Sequence, residues 1–408
     1  MSYTGINLEN VKINNRSAIL KLLNDEGETT RKDLAIRLGL TPATVTLITS
    51  ELLNEGIILE KGEVTEEKRA GRRKVLIDLN ENYRYVLTIS IEEAETVLSL
   101  CNIKGRIHAR KSLPTDKSCP AEVFLERVTN ESVYLMWESG LSREQILGVG
   151  VTVPGLIQRE EGISQRAYRI WDYPVEVTRI LSQKLDFPIL LENNVTAFAL
   201  GELLYGSAKT EENLLIVKWG PGLGSSIIIG NRIYDSHNSK NAEIGHMIVS
   251  RSKERHCRCG KYGCLETYVS THAITDLVKE AYNEGRLPEL KKLFPDDSLI
   301  EASNIEQWMD MEIPEMQEVL SVVFQLLARK LDNLITILAP DKVIFYGRLY
   351  EIPGVSEAIK KEIYLLDPQL PENYLLDSDL KKCRDYIGPL AVVVDELFLK
   401  TGATPEKA

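Results

Sequence analysis

No run of apolar residues in this 408-residue sequence approaches the roughly 20 needed to cross a bilayer. The polar stretch Met1–Asn10 also lacks the apolar core of a secretory signal. Both absences lead us to expect a cytoplasmic protein with no membrane partner. Cysteine is scarce, at six residues, and in that setting disulfides are not expected. An excess of positive charge is missing too: the net charge is −11, which taken alone argues against nucleic acid as a partner. There is no long low-complexity linker and no short-period repeat. What is present, 43% hydrophobic and 27% charged residues, is the composition of a globular chain. Its length exceeds one ordinary core, so two or three domains are expected.

The charge is unevenly spread. Residues 1–80 carry 12 basic and 12 acidic side chains, so the acidic excess lies wholly in the remainder. Within the neutral part, Lys68-Arg69-Ala70-Gly71-Arg72-Arg73-Lys74 places five positive charges in seven residues. The flanking sequence gives that run a context. Arg16 to Leu23 has helical apolar spacing and stops at Gly27. Thr30 suits the cap of a second helix, with Asp33 at the capping-box position, and Gly39 breaks it. Thr41 suits the cap of a third helix, Pro42 its first position, and Gly56 lies just past its end, with Val45, Ile48, Leu52 and Leu53 as the buried stripe. Ile57–Glu60 and Val75–Leu79 then read as a β-hairpin tipped by the basic run. Three helices with a glycine turn, followed by such a hairpin, predict a winged helix-turn-helix over residues 1–80 and hence DNA binding.

From Tyr85 the texture changes. Strands are predicted over Val86–Ile91, Val97–Leu100, Leu147–Val153, Ile189–Glu192, Asn213–Lys218, Ser225–Ile229 and Lys342–Phe345. They alternate with helices near 120–138, 175–185, 273–283 and 315–338, which indicates an α/β architecture. The strongest local signal is Cys257-Arg-Cys259-Gly-Lys-Tyr-Gly-Cys264. Its two glycines let the backbone turn so that three thiolates converge on one ion, with zinc the natural choice and a histidine as fourth ligand. His246 is favoured, because His256 adjoins Cys257 and would need a tight turn to reach the same ion. Three cysteines and one histidine make a closed, structural site. Cys101, Cys119 and Cys383 are scattered and are read as apolar packing.

Over essentially its whole length the sequence resembles the ROK family of repressors, open reading frames and sugar kinases. The resemblance rests on Glu243-Ile-Gly-His246-Met followed by the cysteine run ending at Glu266. Gly148-Val-Gly-Val-Thr-Val-Pro154-Gly155, Leu191-Glu192-Asn193-Asn194-Val-Thr-Ala197 and Gly220-Pro-Gly222-Leu-Gly224 support it. The resemblance implies an actin-like (ribonuclease H-like) two-lobed sugar-kinase fold behind the winged helix-turn-helix. Residues 81–195 with a C-terminal helix at about 386–408 would form one lobe. Residues 196–385 would form the other, carrying the zinc site and a dimerisation surface. It further implies Zn2+ on His246, Cys257, Cys259 and Cys264, and a sugar on Asn193, Glu243, His246 and Glu266.

The departures from the kinases are as informative. The Asp-x-Gly-Gly-Thr turn of the kinases is here Ser90-Ile91-Glu92-Glu93-Ala94, with no glycine and two carboxylates facing a would-be polyanion. Where they carry a catalytic aspartate this chain has Asn194, and an amide cannot serve as that base. The later glycine-rich turn reads Phe345-Tyr346-Gly347-Arg348, with one glycine. No ATP binding and no phosphoryl transfer are expected.

The regulatory branch of the family implies a repressor of carbohydrate-metabolism genes, such as those for xylose. It would bind a palindromic operator as a homodimer or tetramer and respond to a monosaccharide or sugar phosphate. The expected DNA contacts are Thr41, Thr44, Thr46 and Ser50 on the third helix, Arg31 and Lys32 before it, and Arg69, Arg72, Arg73 and Lys74 on the wing. The third helix offers no Arg or Lys for a bidentate contact to guanine, so an A·T-rich operator is expected, read partly by wing arginines in a narrow minor groove. Two rival functions remain at this stage: a repressor governed by a partner protein in place of a sugar, and an active kinase carrying a DNA-binding domain. His237 and His272 are assigned no role. Lys240-Asn241-Ala242 differs from the small residues usual before Glu243 and suggests a reshaped sugar pocket.

Overall fold

The computed structural model describes residues 7–63, 75–208, 211–234 and 242–404. Three helices open the chain: α1 (Leu8–Glu26), α2 (Arg31–Leu38) and α3 (Pro42–Asn54). Thr30 caps α2, accepting from the Asp33 amide and donating to the Asp33 carboxylate at 2.6 Å; Thr41 caps α3 through the Thr44 amide. α1 is longer than the expected Arg16–Leu23. It starts at Leu8, where Asn7 caps the Asn10 amide, because Gly402 packs against Ile13 and Arg16 and supports turns that are only weakly amphipathic. Leu53, expected in the buried stripe of α3, is half-buried, while Val45, Ile48 and Leu52 are buried. β1 (Thr29–Thr30), β2 (Ile58–Glu63) and β3 (Val75–Leu79) form a small sheet in the order β1-β3-β2, with β2 and β3 as the hairpin. The basic run between them lies outside the described residues.

The first large sheet is built from β4 (Tyr85–Ile91), β5 (Glu95–Asn102), β6 (Ile107–Pro114), β7 (Ile146–Val153) and, after the short hairpin β8 (Leu156–Gln158) and β9 (Ile163–Arg166), β10 (Ile189–Asn193). Its order is β10-β7-β4-β5-β6: an antiparallel meander extended by two parallel strands. α4 (Ala121–Ser139) and α5 (Val177–Leu181) cover one face, where Phe124, Leu125 and Val128 meet Leu87, Ile89 and Val151. The helix expected near 175–185 shrinks to α5 because Val175 instead pairs with Ser164, two backbone hydrogen bonds of 2.8 and 2.9 Å that helical geometry would forbid.

α6 (Asn194–Tyr205) follows, then a second sheet from β11 (Leu214–Trp219), β12 (Leu223–Ile229), β13 (Arg232–Ile233), β14 (Lys342–Tyr346) and β15 (Leu375–Asp377), in the order β13-β12-β11-β14-β15. This again is an antiparallel meander extended by two parallel strands, the topology of the first sheet repeated. Between β13 and β14 run α7 (Glu266–Val269), α8 (Thr271–Asn283), α9 (Pro288–Leu293), α10 (Ile305–Trp308) and α11 (Pro314–Leu338). α12 (Val355–Leu366) precedes β15, and α13 (Ile387–Val393) closes the chain through a wider π-type turn over Val394–Leu399. The second sheet buries Leu215, Val217 and Trp219 against Leu320, Phe324 and Leu327 of α11. Among the described residues no helix is long and apolar enough to cross a membrane.

α6 and α13 fill the space between the two sheets, where Phe198 stacks on Tyr346 with ring centroids 3.7 Å apart. The twofold sheet topology around paired central helices is the ribonuclease H-like duplication of an actin-like clamp. The core of the winged domain belongs to the same apolar cluster, with Ile19, Leu20 and Leu23 joined to Phe398, Leu399 and Ala403. Arg16, 4% exposed, fastens the joint: its Nε donates to the Gly402 carbonyl at 2.8 Å and its Nη1 to Glu55 at 2.9 Å. Asn24 donates to the carbonyl of Leu204, near the end of α6.

Two predictions arise from this packing. α13 crosses β7 so closely that a Cβ at Gly150 would stand 2.1 Å from the Pro389 carbonyl oxygen. Neither backbone can give way cheaply, so Gly150→Ala is expected to destabilise the protein by about 3 kcal/mol. Gly220→Ala, whose Cβ would meet Arg348 at 3.6 Å, is expected to be near neutral, and urea unfolding of both variants checks the contrast. The second concerns Glu202 on α6, 2% exposed and accepting from the Ser378 hydroxyl. Burial, aided by Asp379 and opposed by that hydrogen bond, pushes its carboxyl from 4.5 up to about 7. The fold thus favours the neutral acid. The associated stability is present below pH 4.5 and lost as pH rises to about 7, on the order of 3 kcal/mol. Glu202→Gln is expected to flatten unfolding free energy across that window and to leave the variant more stable than the parent at pH 8.

Candidate functional site

A cleft of about 540 Å3 opens between the two sheets. β7 delivers Pro154 and Gly155 to its floor. Gly155 has φ +96°, and a Cβ there would stand 2.3 Å from the Arg166 carbonyl oxygen, so only glycine lets this turn pass. β10 ends at Asn193, which caps α6: its Oδ1 accepts from the amides of Val195 (2.8 Å) and Thr196 (3.3 Å), and its Nδ2 donates to Gly155 O at 2.8 Å. The side chain is therefore locked in place before any ligand arrives. Glu243 begins the short turn Ile244–His246 on the opposite wall, and Glu266 begins α7. All four expected sugar residues, Asn193, Glu243, His246 and Glu266, line this one cleft.

The structure also brings His246, Cys257, Cys259 and Cys264 together, with their ligand atoms all within 4.8 Å of one another, in a group that could hold a metal ion. Cys257 Sγ is 3.5 Å from His246 Nδ1, and Cys259 Sγ is 3.7 Å from Cys264 Sγ. Gly263, at φ +69° and with its Cβ position 2.1 Å from the Ser250 carbonyl oxygen, makes the turn that returns Cys264 to the group. His256 is not part of it; its ring instead meets Tyr262 edge to face. The cluster adjoins the cleft, since Cys257 Sγ is 3.0 Å from Glu266 Oε1 and the Tyr168 ring meets His246 edge-on at 5.3 Å. Burial first, then Glu243, Cys259 and Glu266, push the Tyr168 phenol up, so it faces the cleft as a neutral hydroxyl at neutral pH.

At the other end of the cleft stands the turn Glu92-Glu93. Glu92 Oε1 accepts from Asn194 Nδ2 at 2.7 Å and from Lys218 Nζ at 2.6 Å, so an ion pair from β11 reaches across to the first sheet. Glu93 faces His272 Nε2 at 3.4 Å, Lys117 at 3.7 Å and Arg169 at 4.0 Å. Burial alone would raise the Glu93 carboxyl; His272, Arg169 and Lys117 outweigh it and hold the group below the usual carboxylate range. Two further contacts bear on this end of the cleft. His272, which the sequence left without a role, pairs across the cleft with Glu93. Arg348, in the turn after β14, is engaged by Glu306 and the carbonyls of Ala302 and Ser303. Tyr168, Arg169 and Lys218 were missed by sequence reasoning; a lone lysine inside a strand and a Tyr-Arg pair in an irregular turn carry no local signal. Ala242 lines the cleft, while His237, Lys240 and Asn241 lie outside the described residues.

On the winged domain, Thr46, Ser50 and Lys32 are exposed, Thr41 too, and Thr44 is half-buried. Arg31 is turned inward instead: its Nε donates to Thr49 Oγ1 and its Nη2 pairs with Glu60, both at 3.1 Å. In this structure Arg31 is thus engaged within the winged domain, and Lys32 is the exposed cation of the expected pair. The wing residues Arg69, Arg72, Arg73 and Lys74 lie outside the described residues.

The ROK family profile matches residues 86–395, and a winged helix-turn-helix DNA-binding profile matches residues 14–58. The chain belongs to the ROK family. Among its relatives is the xylose repressor of Caldicellulosiruptor bescii, 25% identical over 405 residues, a match covering 94% of this chain and 96% of that protein. A ROK family transcriptional regulator described as a homologue of the Escherichia coli Mlc protein shares the fold with a TM-score of 0.75 at 20% identity, covering 97% of this chain and all of that one. A Streptomyces griseus ROK glucokinase, solved with glucose and AMPPNP, matches with a TM-score of 0.66 at 22% identity, over 76% of this chain and 98% of its own. The ROK fold thus serves regulators and kinases alike.

Proposed function

We propose that the protein is a cytoplasmic, sugar-responsive DNA-binding repressor of carbohydrate-metabolism genes that acts as a homodimer on a palindromic, A·T-rich operator. The observation that carries this reading is the continuity between cleft and winged domain. α6 begins in the cleft, where Asn193 caps it and Asn194 is its first residue, and about ten residues or about 15 Å later Leu204 accepts a hydrogen bond from Asn24 of α1. A sugar that prefers one closure of the cleft would bias α6 and, with it, the winged domain that rests on it. Glu243 and Glu266 suit the task because a carboxylate can accept from two neighbouring hydroxyls.

The cleft supports a sensor better than a kinase. Seven carboxylates line it against four lysine and arginine side chains, a poor setting for a triphosphate. Asn194, in the place of the base, donates its amide to Glu92. His246, Cys257, Cys259 and Cys264 fit zinc: bonds of about 2.3 Å to sulfur and 2.0–2.1 Å to nitrogen put tetrahedral ligand atoms roughly 3.5–3.8 Å apart, the separations of the Cys257–His246 and Cys259–Cys264 pairs. The ion would supply a structural cross-link that fixes the loop 257–264. The residues themselves hold Glu266 and His246 at the cleft wall.

The test is selection of preferred sites from random duplex DNA by the full chain, followed by binding titrations with monosaccharides and their phosphates. One sugar should weaken binding, and ATP with that sugar should yield no phosphorylated product. A G·C-rich consensus would overturn the operator reading, uniform indifference to sugars the sensor reading, and turnover of ATP the non-enzymatic one.

A further inference from the structure

The exposed face of α3 carries an unusual chemistry for a helix offered to DNA. Pro42, Ala43, Thr46, Leu47 and Ser50 are its exposed positions in the first three turns, and Leu47 is 63% exposed in a helix whose other large aliphatics are buried or half-buried. The two hydroxyls on this face have each already given up their single proton. Thr46 Oγ1 donates to the Pro42 carbonyl and Ser50 Oγ to the Thr46 carbonyl, both at 2.7 Å. Thr41 and Thr44, at the start of the helix, share one hydroxyl–hydroxyl bond of 2.9 Å. Of the neighbouring cations, Arg31 is engaged with Thr49 and Glu60 and Lys12 with Glu51 at 2.8 Å, while the exposed Lys32 lies on α2 and not on this face. What α3 can present at its centre is thus the Ala43 methyl, the Thr46 methyl and the Leu47 isobutyl group, three carbon surfaces without a free donor among them.

Only one base offers an apolar feature in the major groove, namely thymine through its C5 methyl group. Guanine asks for donors and cytosine for an acceptor, and adenine asks for both at once. We propose that α3 reads its operator by packing Leu47, with Ala43 and the Thr46 methyl, against thymine methyl groups, and that Leu47 is the specificity-determining residue of the half-site. This rests on the DNA-binding reading above and deepens it. A·T preference then arises in the major groove, from desolvating methyls, in addition to any reading of groove width by the wing. The energy source is burial of apolar surface, so it is short-ranged and insensitive to salt, unlike phosphate contacts.

Deoxyuridine differs from thymidine by that methyl group alone and leaves pairing and the minor groove intact. The selected duplex is therefore compared with copies in which single thymines are replaced by deoxyuridine, each titrated with the full chain and with Leu47→Ala. One or two positions per half-site should weaken binding by the parent chain about fourfold each. Leu47→Ala should weaken binding to the thymine duplex by a similar factor and should no longer distinguish the two duplexes. Because Leu47 is exposed, its thermal midpoint should match that of the parent. Equal binding of thymine and deoxyuridine duplexes by the parent, or undiminished discrimination by Leu47→Ala, would overturn this inference while leaving DNA binding intact. Failure to enrich any duplex would overturn the DNA-binding reading itself and the inference with it.

Discussion

Glu243→Gln is expected to leave operator binding unchanged while raising the sugar concentration needed for half-maximal release by about 10- to 150-fold. The magnitude is that of removing hydrogen bonds between hydroxyls and an ionised acceptor, about 1.5–3 kcal/mol. A glutamine keeps the shape but offers one acceptor oxygen where the carboxylate offers two. Glu243 is the informative position among the four proposed sugar residues. Asn193 caps α6, so its removal would also cost helix stability of about 1 kcal/mol. Glu266 and His246 touch Cys257, so changes there would disturb the cysteine cluster as well. Glu243 contributes the first residue of a short turn and lines the cleft without belonging to the cluster. Fluorescence anisotropy of labelled operator, titrated with the sugar that releases the parent chain, checks the shift. An unchanged sugar midpoint would place the sugar away from this wall.

The same residues show what a sequence can disclose and what it cannot. Caps are local chemistry, and Thr30 with Asp33, Thr41 with Pro42 and the strand Val75–Leu79 stand where sequence reading put them. The cysteine group was legible for a similar reason: three of its members lie within eight residues, and two glycines announce the turn. α6 was not legible, and α13 was expected only through the family resemblance, within a helix at about 386–408. Apart from Asn194, Thr196 and Glu202 on α6, each is apolar all round, with Ala197, Phe198 and Ala199 or Ile387, Leu390 and Val393 buried between two sheets, so neither shows the one-sided pattern that marks a surface helix. The repeated sheet topology is hidden as well, because it resides in pairing order and not in side chains. The Glu92–Lys218 and Glu93–His272 contacts join residues 126 and 179 positions apart. Glutamates in a turn, a lysine in a strand and a histidine in a first helical turn each look like ordinary solvated groups until the fold sets them across one cleft.

That cross-cleft pairing gives the departures from the kinase sequence pattern a physical sense. In the turn Ser90–Ala94 the carboxylate of Glu92 binds Lys218 of the second sheet and Asn194 at the head of α6. The cations that face this end of the cleft are thereby occupied by the protein's own anions. On the function proposed above, closure of the two sheets on each other would depend on protein groups and the sugar. This fits a sensor, whose response should track sugar and not cellular ATP.

Cys264→Ser carries the largest structural consequence we expect. Cys264 is fully buried, pairs through its backbone with Ile248, and sits 3.7 Å from Cys259 in the four-residue group. A serine hydroxyl is a poor zinc ligand at neutral pH, and three remaining ligands do not close a tetrahedron. Elemental analysis should find about one zinc per parent chain and close to none in the variant. The thermal midpoint should fall by about 5 °C or more, because metal held only by the folded chain stabilises it. A strong chelator should lower the parent to the same midpoint and leave the variant where it is. Cys119→Ser, which lies outside the group, should change neither metal content nor midpoint. The loss should also reach the sensor. The loop wall is tied to the first sheet by Arg166, whose Nη1 donates to the Arg258 carbonyl at 2.9 Å, and Glu266 leans on Cys257. Weakened sugar response in Cys264→Ser, alongside retained operator binding, would tie the metal to the cleft. A parent chain purified without metal, with all three cysteines freely reactive towards a thiol reagent, would overturn the zinc assignment.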